Sequence, residues 1–457
     1  MTTEIILIFA LSIILIALCV LPPLRDLIAG RFDPMDPRTL FLAYYALQLG
    51  VYPVYILLGG KDFKFYDGAS VQDLRLIMTA LVLSMMGVVA FLFGDSFARK
   101  SGLFRVSVLC YSLNSRSVAV LMALGLPFAL YGIYAMYLSR GGIVGYLDSF
   151  VEIRYGGTGR GYMSFIATSF VCVLAVIAFV ASFRASTPKL WRWGAYSLFF
   201  VSAASAGLSG FRATMIPIMI ASIMCVHYYV RRFTFVTTVI LFAGLVAFAA
   251  GYAVVRSQLE ASSAALDLDV MGRVTAVDGF LGRSPGIEMV ATTIEGIERH
   301  SDYALFYPAL FESATILIPR VLWAGKPTPQ SMVYGEKFMG YFLFLRDGSE
   351  VANTGGFSMT VVGYLYWQLG AFAVLFGMFI MGVLFGYIYR LFVGRPGCQV
   401  TAVIYIIYGS VMAKFAEAPQ DTMNALVILS AFVFVGLLVS AQPLTAPLAK
   451  SPSRRPV

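Results

Sequence analysis

The residues best suited to chemistry are arginines that stand beside glycines or at the ends of apolar segments. Arg140 opens an Arg-Gly-Gly run, Arg154 shortly precedes two glycines, and Arg212 and Arg256 border long apolar stretches. Glycines let backbone N–H groups approach an anion closely, and a guanidinium binds phosphate through paired hydrogen bonds without losing its charge. The pattern predicts an anion site, although each arginine taken singly could instead pair with an acid or reach lipid headgroups.

Two side chains are candidates for a general base that would deprotonate a hydroxyl group. His300 is an imidazole that titrates close to neutral pH, but its polar Glu-Arg-His-Ser-Asp surroundings also suit an ordinary surface histidine. Glu312 stands among apolar residues, where burial would make its carboxylate more basic, or where it would form an ion pair with Arg320. Two further glutamates, Glu298 and Glu336, are rival candidates.

The composition shows which kind of protein must hold these residues. Hydrophobic residues make up 59% of the 457 residues and charged residues only 12%. Ordinary globular proteins have about 45–50% apolar and about 25% charged residues, and one aqueous core does not grow to this size. These proportions exclude a soluble enzyme, a disordered chain and a fibrous protein. They predict an all-α polytopic membrane protein.

Eleven apolar segments are long enough to cross a bilayer as helices, which takes roughly 20 residues. They are 4–21, 39–59, 74–95, 117–138, 163–183, 194–209, 213–230, 234–255, 371–391, 400–417 and 422–441. The stretch 356–370 is apolar but too short to span, so we expect a partly inserted helix that Gly370 ends. This organisation predicts an N-terminal bundle over 1–255, a mostly helical outer loop domain over 256–370, C-terminal spans over 371–441 and a tail over 442–457.

The positions of the basic residues predict the orientation of the chain, whose formal net charge is +9. With the N-terminus outside, the inner connections carry 17 of the 33 basic residues and the short outer connections carry eight. Inner loops of membrane proteins are enriched in lysine and arginine. We therefore expect the N-terminus, retained as a first span, to lie outside and the C-terminus to lie in the cytoplasm.

Metal ligands are few in this sequence. None of the five cysteines lies in the long loop 256–355, and only His227 and His300 could supply imidazole ligands. Because zinc sites are built from such ligands, the sequence predicts no metal site and no cofactor.

Three short motifs carry a resemblance to a known family. They are Ser209-Gly210-Phe211-Arg212, then Ile318-Pro319-Arg320-Val321-Leu322-Trp323 followed by Lys326-Pro327, and finally Thr354-Gly355-Gly356 with Gly363-Tyr364-Leu365-Tyr366-Trp367-Gln368-Leu369-Gly370. Their order and spacing resemble bacterial O-antigen and exopolysaccharide repeat-unit polymerases of Wzy type. Many members carry glutamate where Tyr364 stands, so no acidic role transfers to that position.

The resemblance implies an activity and a fold. A polymerase of this kind transfers a growing glycan from undecaprenyl pyrophosphate to the terminal sugar of a new lipid-linked repeat unit, sometimes with a chain-length regulator as partner. The family is similar in fold to C-type membrane glycosyltransferases and O-antigen ligases. Those enzymes need neither a nucleotide sugar nor an obligatory metal. The sequence also shows no signature of nucleic-acid binding. The pyrophosphate would be bound by basic residues, namely Arg140, Arg154, Arg212, Arg256, Arg320 and Lys326.

Two other functions fit the same sequence. A ligase would use the same lipid-linked donor with another acceptor. A flippase or transporter of lipid-linked sugars would carry buried charges through the middle of its spans. Mid-span charges are scarce here, and the arginines gather on one predicted side, which favours chemistry at that side.

Overall fold

A computed structural model describes about two thirds of the chain, and nearly all of the described part is helical. The described residues are 2–60, 63, 66, 70–101, 111–136, 142, 166–183, 190–208, 212–244, 247, 248, 251, 286–301, 303–318, 322, 323, 325, 326, 359–394 and 398–443. The α-helices are Thr2–Ile28, Pro37–Tyr45, Tyr52–Leu58, Val71–Lys100, Ser115–Met136, Val171–Ala181, Leu190–Leu208, Arg212–Tyr229, Phe235–Gly244, Gly286–His300, Tyr307–Thr315, Val361–Val393, Gln399–Met412 and Pro419–Ser440. Two π-helical stretches, Ala46–Val51 and Ile166–Phe170, and a 3₁₀ turn, Ala413–Ala416, join some of them.

Seven helical segments among the described residues are long and apolar enough to cross a membrane. They are Thr3–Ile28, Pro37–Leu58, Val71–Lys100, Ser115–Tyr134, Val361–Val393, Gln399–Ala416 and Pro419–Ser440. The other four predicted spans, between 163 and 255, also contain helices, but their described parts do not reach the same length and apolarity. The described residues therefore confirm the prediction of a helical protein of membrane type, with helices long and apolar enough to cross a bilayer.

The chain divides into two compact units. The first contains 1–104, 280–388 and 412–425, and the second contains 105–279, 389–411 and 426–457. In the second unit, strand Tyr111–Leu113 pairs antiparallel with Ala441–Pro443. The side chain of Gln399 also joins distant segments there, because its Oε1 accepts from the Leu113 N–H at 2.8 Å and its Nε2 donates to the Val180 carbonyl at 3.2 Å.

Glycines allow two long helices of the first unit to touch backbone to backbone. A Cβ placed on Gly382 would come closer than 3.0 Å to the carbonyl oxygen of Phe91, and one on Gly94 would overlap the carbonyl of Phe379 in the same way. Within a bilayer the hydrophobic effect does not drive helices together, so they associate through close packing, which small residues allow. The contact holds Val71–Lys100 against Val361–Val393.

We expect Gly382→Ala to destabilise the protein. The added methyl must push two backbones apart, and overpacking of this kind costs about 1–3 kcal/mol. The matched control is Gly194→Ala, since a Cβ there meets nothing within 4 Å and alanine favours a helix interior. Thermal unfolding in detergent should show a lower midpoint for Gly382→Ala only, and equal midpoints would contradict the close contact.

Buried ion pairs connect three helix ends in the first unit, forming what we call the ion-pair cluster: Asp26, Asp36, Arg38, Asp95 and Arg99. The Arg38 guanidinium pairs with Asp26 and, at 3.3 Å, with Asp95. Arg99 pairs with Asp95 at 2.7 Å and with Asp36 at 2.8 Å. Charges removed from water need such mutual pairing, and the cluster thereby ties these helix ends together.

Helix Val361–Val393, the broken helix, changes direction at the predicted position. Leu369 and Gly370 have non-helical backbone angles, with Gly370 at φ 64°. A Cβ on Gly377 would lie 2.6 Å from the side chain of Leu365, although twelve residues of straight helix would separate these positions by about 18 Å. The short arm Val361–Gln368 therefore folds back on the long arm, and the predicted helix end at Gly370 is confirmed.

Candidate functional site

Half of the predicted site residues lie outside the described residues. Arg140, Arg154, Arg256, Arg320 and Glu336 are among those for which the structure gives no placement. Arg212 begins helix Arg212–Tyr229 and His300 ends helix Gly286–His300, but neither side chain is described. Glu312, Lys326 and Glu298 have described side chains.

Lys326 lies at the end of a short helix. Its Nζ donates to the carbonyl oxygen of Ile318 at 3.1 Å and of Ile316 at 3.4 Å, just beyond helix Tyr307–Thr315. Helix C-terminal carbonyls carry partial negative charge, so an ammonium is stabilised there. The predicted phosphate ligand is thus seen capping a helix.

Glu312 is buried inside the protein, while Arg320, its alternative predicted ion-pair partner, lies outside the described residues. It lies on helix Tyr307–Thr315, the site helix, and only 4% of the residue is exposed. Its Oε1 accepts a hydrogen bond from Asn424 Nδ2 at 2.7 Å. An amide N–H is a neutral donor that suits a carboxylate oxygen, which can only accept while it is ionised.

Four neutral side chains, linked to this carboxylate through Asn424 or to one another by hydrogen bonds, form the site cluster with it: Glu312, Ser313, Tyr364, Gln420 and Asn424. The Asn424 Oδ1 accepts from Ser313 Oγ and from Gln420 Nε2, each at 3.1 Å. Gln420 Oε1 accepts from the Tyr364 hydroxyl at 2.6 Å. Each amide is therefore held in one orientation, and the Asn424 N–H must point at Glu312.

Three separate segments supply the site cluster. Tyr364 comes from the short arm of the broken helix, and Gln420 and Asn424 come from the first turns of helix Pro419–Ser440, the final helix. Gln420 and Asn424 are four residues apart, which puts them on one helix face. The arrangement fixes one carboxylate among hydroxyl and amide groups, which suits the deprotonation of a bound hydroxyl group.

Residues 301 and 303–306, which we call segment 301–306, directly precede the site helix and are hydrogen-bonded to the broken helix. The N–H groups of Ala304 and Leu305 donate to the carbonyls of Trp367 and Gln368 at 2.9 and 3.2 Å, at the end of the short arm. Ser301, Leu305 and Phe306 have positive φ angles, which cost free energy in residues with a side chain. These bonds hold the strained segment in place and so set where the site helix begins.

Two more acids lie on helix Gly286–His300, the loop helix. Glu288 is fully buried and accepts a hydrogen bond from the Tyr52 hydroxyl. Glu295 is half-buried, and burial raises its pKa above the usual value, while Arg299 and Tyr66 oppose that shift. Glu298, the rival base, is exposed on the same helix.

The turn between helices Gln399–Met412 and Pro419–Ser440 is also polar. Lys414 and Glu417 lie in it, and the Glu417 carboxylate accepts a hydrogen bond from Tyr44. Because Tyr44 belongs to the span Pro37–Leu58, this turn lies beside a membrane-spanning segment. The predicted outer connection is therefore packed against a helix.

Sequence reasoning missed Gln420 and Asn424. The signal was present, because two amide side chains stand four residues apart at the start of an otherwise apolar span. Polar residues in a membrane span mark functional sites by default, since their burial in lipid is costly.

Comparison with known proteins places the chain in a family. A family model described as a domain of unknown function (DUF8712) matches residues 133–394, more than half of the chain. The chain belongs to this DUF8712 family. The matched part includes the site helix and the broken helix, whereas Gln420 and Asn424 lie beyond its end. No curated protein and no solved structure matches the chain.

Proposed function

We propose that this DUF8712 protein is a membrane-embedded glycosyltransferase that joins lipid-linked oligosaccharide repeat units. The observation that carries the proposal is the site cluster, in which the buried Glu312 carboxylate accepts a hydrogen bond from Asn424 at the start of the final helix. Burying a carboxylate is costly, so its presence at this helix end supports a functional role. The resemblance to repeat-unit polymerases supplies the reaction.

In the proposed reaction, Glu312 accepts the proton of the terminal sugar hydroxyl of a new lipid-linked repeat. The hydroxyl oxygen attacks the anomeric carbon of the growing glycan, and the bond from that carbon to the undecaprenyl pyrophosphate oxygen breaks. The diphosphate leaves with the electron pair. Fixed positive charges stabilise the leaving group as its charge grows, and these are the predicted ligands Arg140, Arg154, Arg212, Arg256 and Arg320.

We also propose the predicted number of spans and the predicted orientation of the chain. Eleven spans in the bacterial inner membrane, with the N-terminus in the periplasm and the C-terminus in the cytoplasm, would place the loop helix and the site helix on the periplasmic side. The resulting architecture would resemble C-type glycosyltransferases. A chain-length regulator would be a partner rather than a part of the site.

The test uses the purified full chain in lipid nanodiscs. We expect incubation with undecaprenyl-pyrophosphate-linked oligosaccharide from the native host to give a ladder of longer glycans on a gel. One undecaprenyl pyrophosphate should be released for each bond formed, because the donor loses its carrier. Unchanged substrate would overturn the proposal, provided that cooperative thermal unfolding shows the protein to be folded.

One observation favours a second candidate, a flippase of lipid-linked sugars. Transporters bind substrates at interrupted helices, and the described part of this chain contains such an interruption at Leu369–Gly370. Liposomes with fluorescently labelled lipid-linked oligosaccharide distinguish the two functions. A flippase moves the label across the bilayer without changing its length, whereas the polymerase lengthens the glycan.

A further inference from the structure

Gln368 is the last residue of the short arm before the break, and only one of the two polar groups of its amide forms a hydrogen bond. The residue is fully buried, with 0% exposed. Its Oε1 accepts a hydrogen bond from the Phe306 backbone N–H at 2.8 Å. Its Nε2 is buried and has no hydrogen-bond partner among the described residues.

The hydrogen bond from Phe306 fixes which way the amide points. If the amide were flipped, Nε2 would face the Phe306 N–H, and two donors would confront each other. The orientation with Nε2 unpaired is therefore required. A buried donor without a partner costs about 1–3 kcal/mol, so such a group calls for an explanation, and a missing ligand is one.

Gln368 belongs to the same helix face as the site cluster. It follows Tyr364 by four residues, which places the two side chains on one face of the short arm. Phe306, which bonds to the Gln368 amide, directly precedes the site helix, and Glu312 follows Phe306 by six residues, about 9 Å along a helix. The free N–H₂ group thus lies within the length of one or two sugar residues from the proposed base.

The chemistry of the free group indicates what it binds. A neutral amide donor suits a neutral oxygen, such as a sugar hydroxyl or an acetamido carbonyl, whereas a diphosphate is better bound by guanidinium groups. The Tyr303 ring lies at the helix break, 3.7 Å from where a Cβ of Gly370 would be, and the residue is 41% exposed. Tyrosine rings pack well against sugar faces because they combine an apolar surface with a polar tip.

We propose that the unpaired Gln368 Nε2 donates hydrogen bonds to an oxygen of the sugar next to the reacting bond, in a subsite between the broken helix and segment 301–306. This inference rests on the proposed function and deepens it. The segment must shift to admit the sugar. In shifting, it loses its hydrogen bonds to Trp367 and Gln368 but relieves the backbone strain at Leu305 and Phe306. Gln368 is thus a binding residue, and Glu312 remains the base.

The test compares two variants of the full chain. Gln368→Glu keeps an oxygen for the Phe306 N–H but replaces the free N–H₂ by oxygen, and even a protonated carboxyl offers one hydrogen where the amide offers two. Gln368→Met removes both functions. We expect both variants to bind undecaprenyl-pyrophosphate-linked oligosaccharide about tenfold more weakly, as loss of one hydrogen bond predicts, and thermal unfolding checks that both are folded.

Bare undecaprenyl pyrophosphate is the control ligand, measured with the same nanodiscs by native mass spectrometry. Its affinity should be equal in all three proteins because it has no sugar. If Gln368→Glu binds the glycosylated lipid as tightly as the wild type, Gln368 is structural and the subsite is wrong. If the wild type itself binds the glycosylated lipid no better than the bare carrier, the proposed function fails together with the subsite.

Discussion

Replacing Arg38 with methionine is expected to cause the largest loss of stability of any single substitution in the first unit. Arg38 pairs with Asp26 and Asp95, and the Asp95 side chain is only 2% exposed. Methionine has a similar length but no charge, so these carboxylates lose a counter-charge inside the protein. Removing one partner of a buried ion pair costs about 3–5 kcal/mol. Unfolding of the purified protein in mixed micelles, with increasing SDS, measures the change in free energy.

Arg25 provides the matched control for this substitution. It is the same residue type, 3.7 Å from the same Asp26, but its side chain is 74% exposed. Exposed pairs contribute about 0–1 kcal/mol, so Arg25→Met should unfold nearly as the wild type does. Equal losses for both variants would show that the ion-pair cluster does not stabilise the fold.

Glu312→Gln is expected to give the largest loss of activity. Glutamine retains an oxygen that accepts the hydrogen bond from Asn424 Nδ2, so the site cluster keeps its geometry. It has no carboxylate to accept a proton. A general base contributes about 10²–10⁴-fold to rate, and the rate of glycan elongation should fall by that factor. The measurement is the initial rate of ladder formation in nanodiscs, with thermal unfolding measured on the same preparation.

Glu298→Gln is the control for the loss of a glutamate charge, because Glu298 is exposed on the loop helix. Its elongation rate should match that of the wild type. A reversed pattern, with Glu298→Gln inactive and Glu312→Gln active, would assign the base to the rival residue. Near-wild-type rates in both variants would remove carboxylate bases at these two positions from the mechanism.

Local features of the fold were predictable because they depend on neighbouring residues. Long apolar runs predicted the helices, since a helix satisfies its own backbone groups in lipid. Gly370 predicted the end of the short arm because glycine adopts positive φ without strain. The apolar neighbours of Glu312 made burial one of its two predicted environments, and the structure places it in the core.

The partners of these residues were not predictable in the same way. Glu312 and Asn424 are 112 positions apart, and Tyr364 and Gln420 are 56 positions apart. A single sequence does not show which helices pack together, and polar residues at helix starts fit several roles. The same holds for Arg38 and Asp95, which are 57 positions apart and pair inside the first unit.

The late position of Asn424 in the chain affects how the protein is made. Ribosomes add about 5–20 residues per second, so Glu312 exists for roughly 6–22 seconds before Asn424 has been synthesised. During that time the carboxylate lacks the amide that holds it, while the earlier helices are already entering the membrane. In a nascent chain truncated before the final helix, this acid would lack the hydrogen bond from Asn424. Proteases and chaperones would then recognise the chain as incomplete.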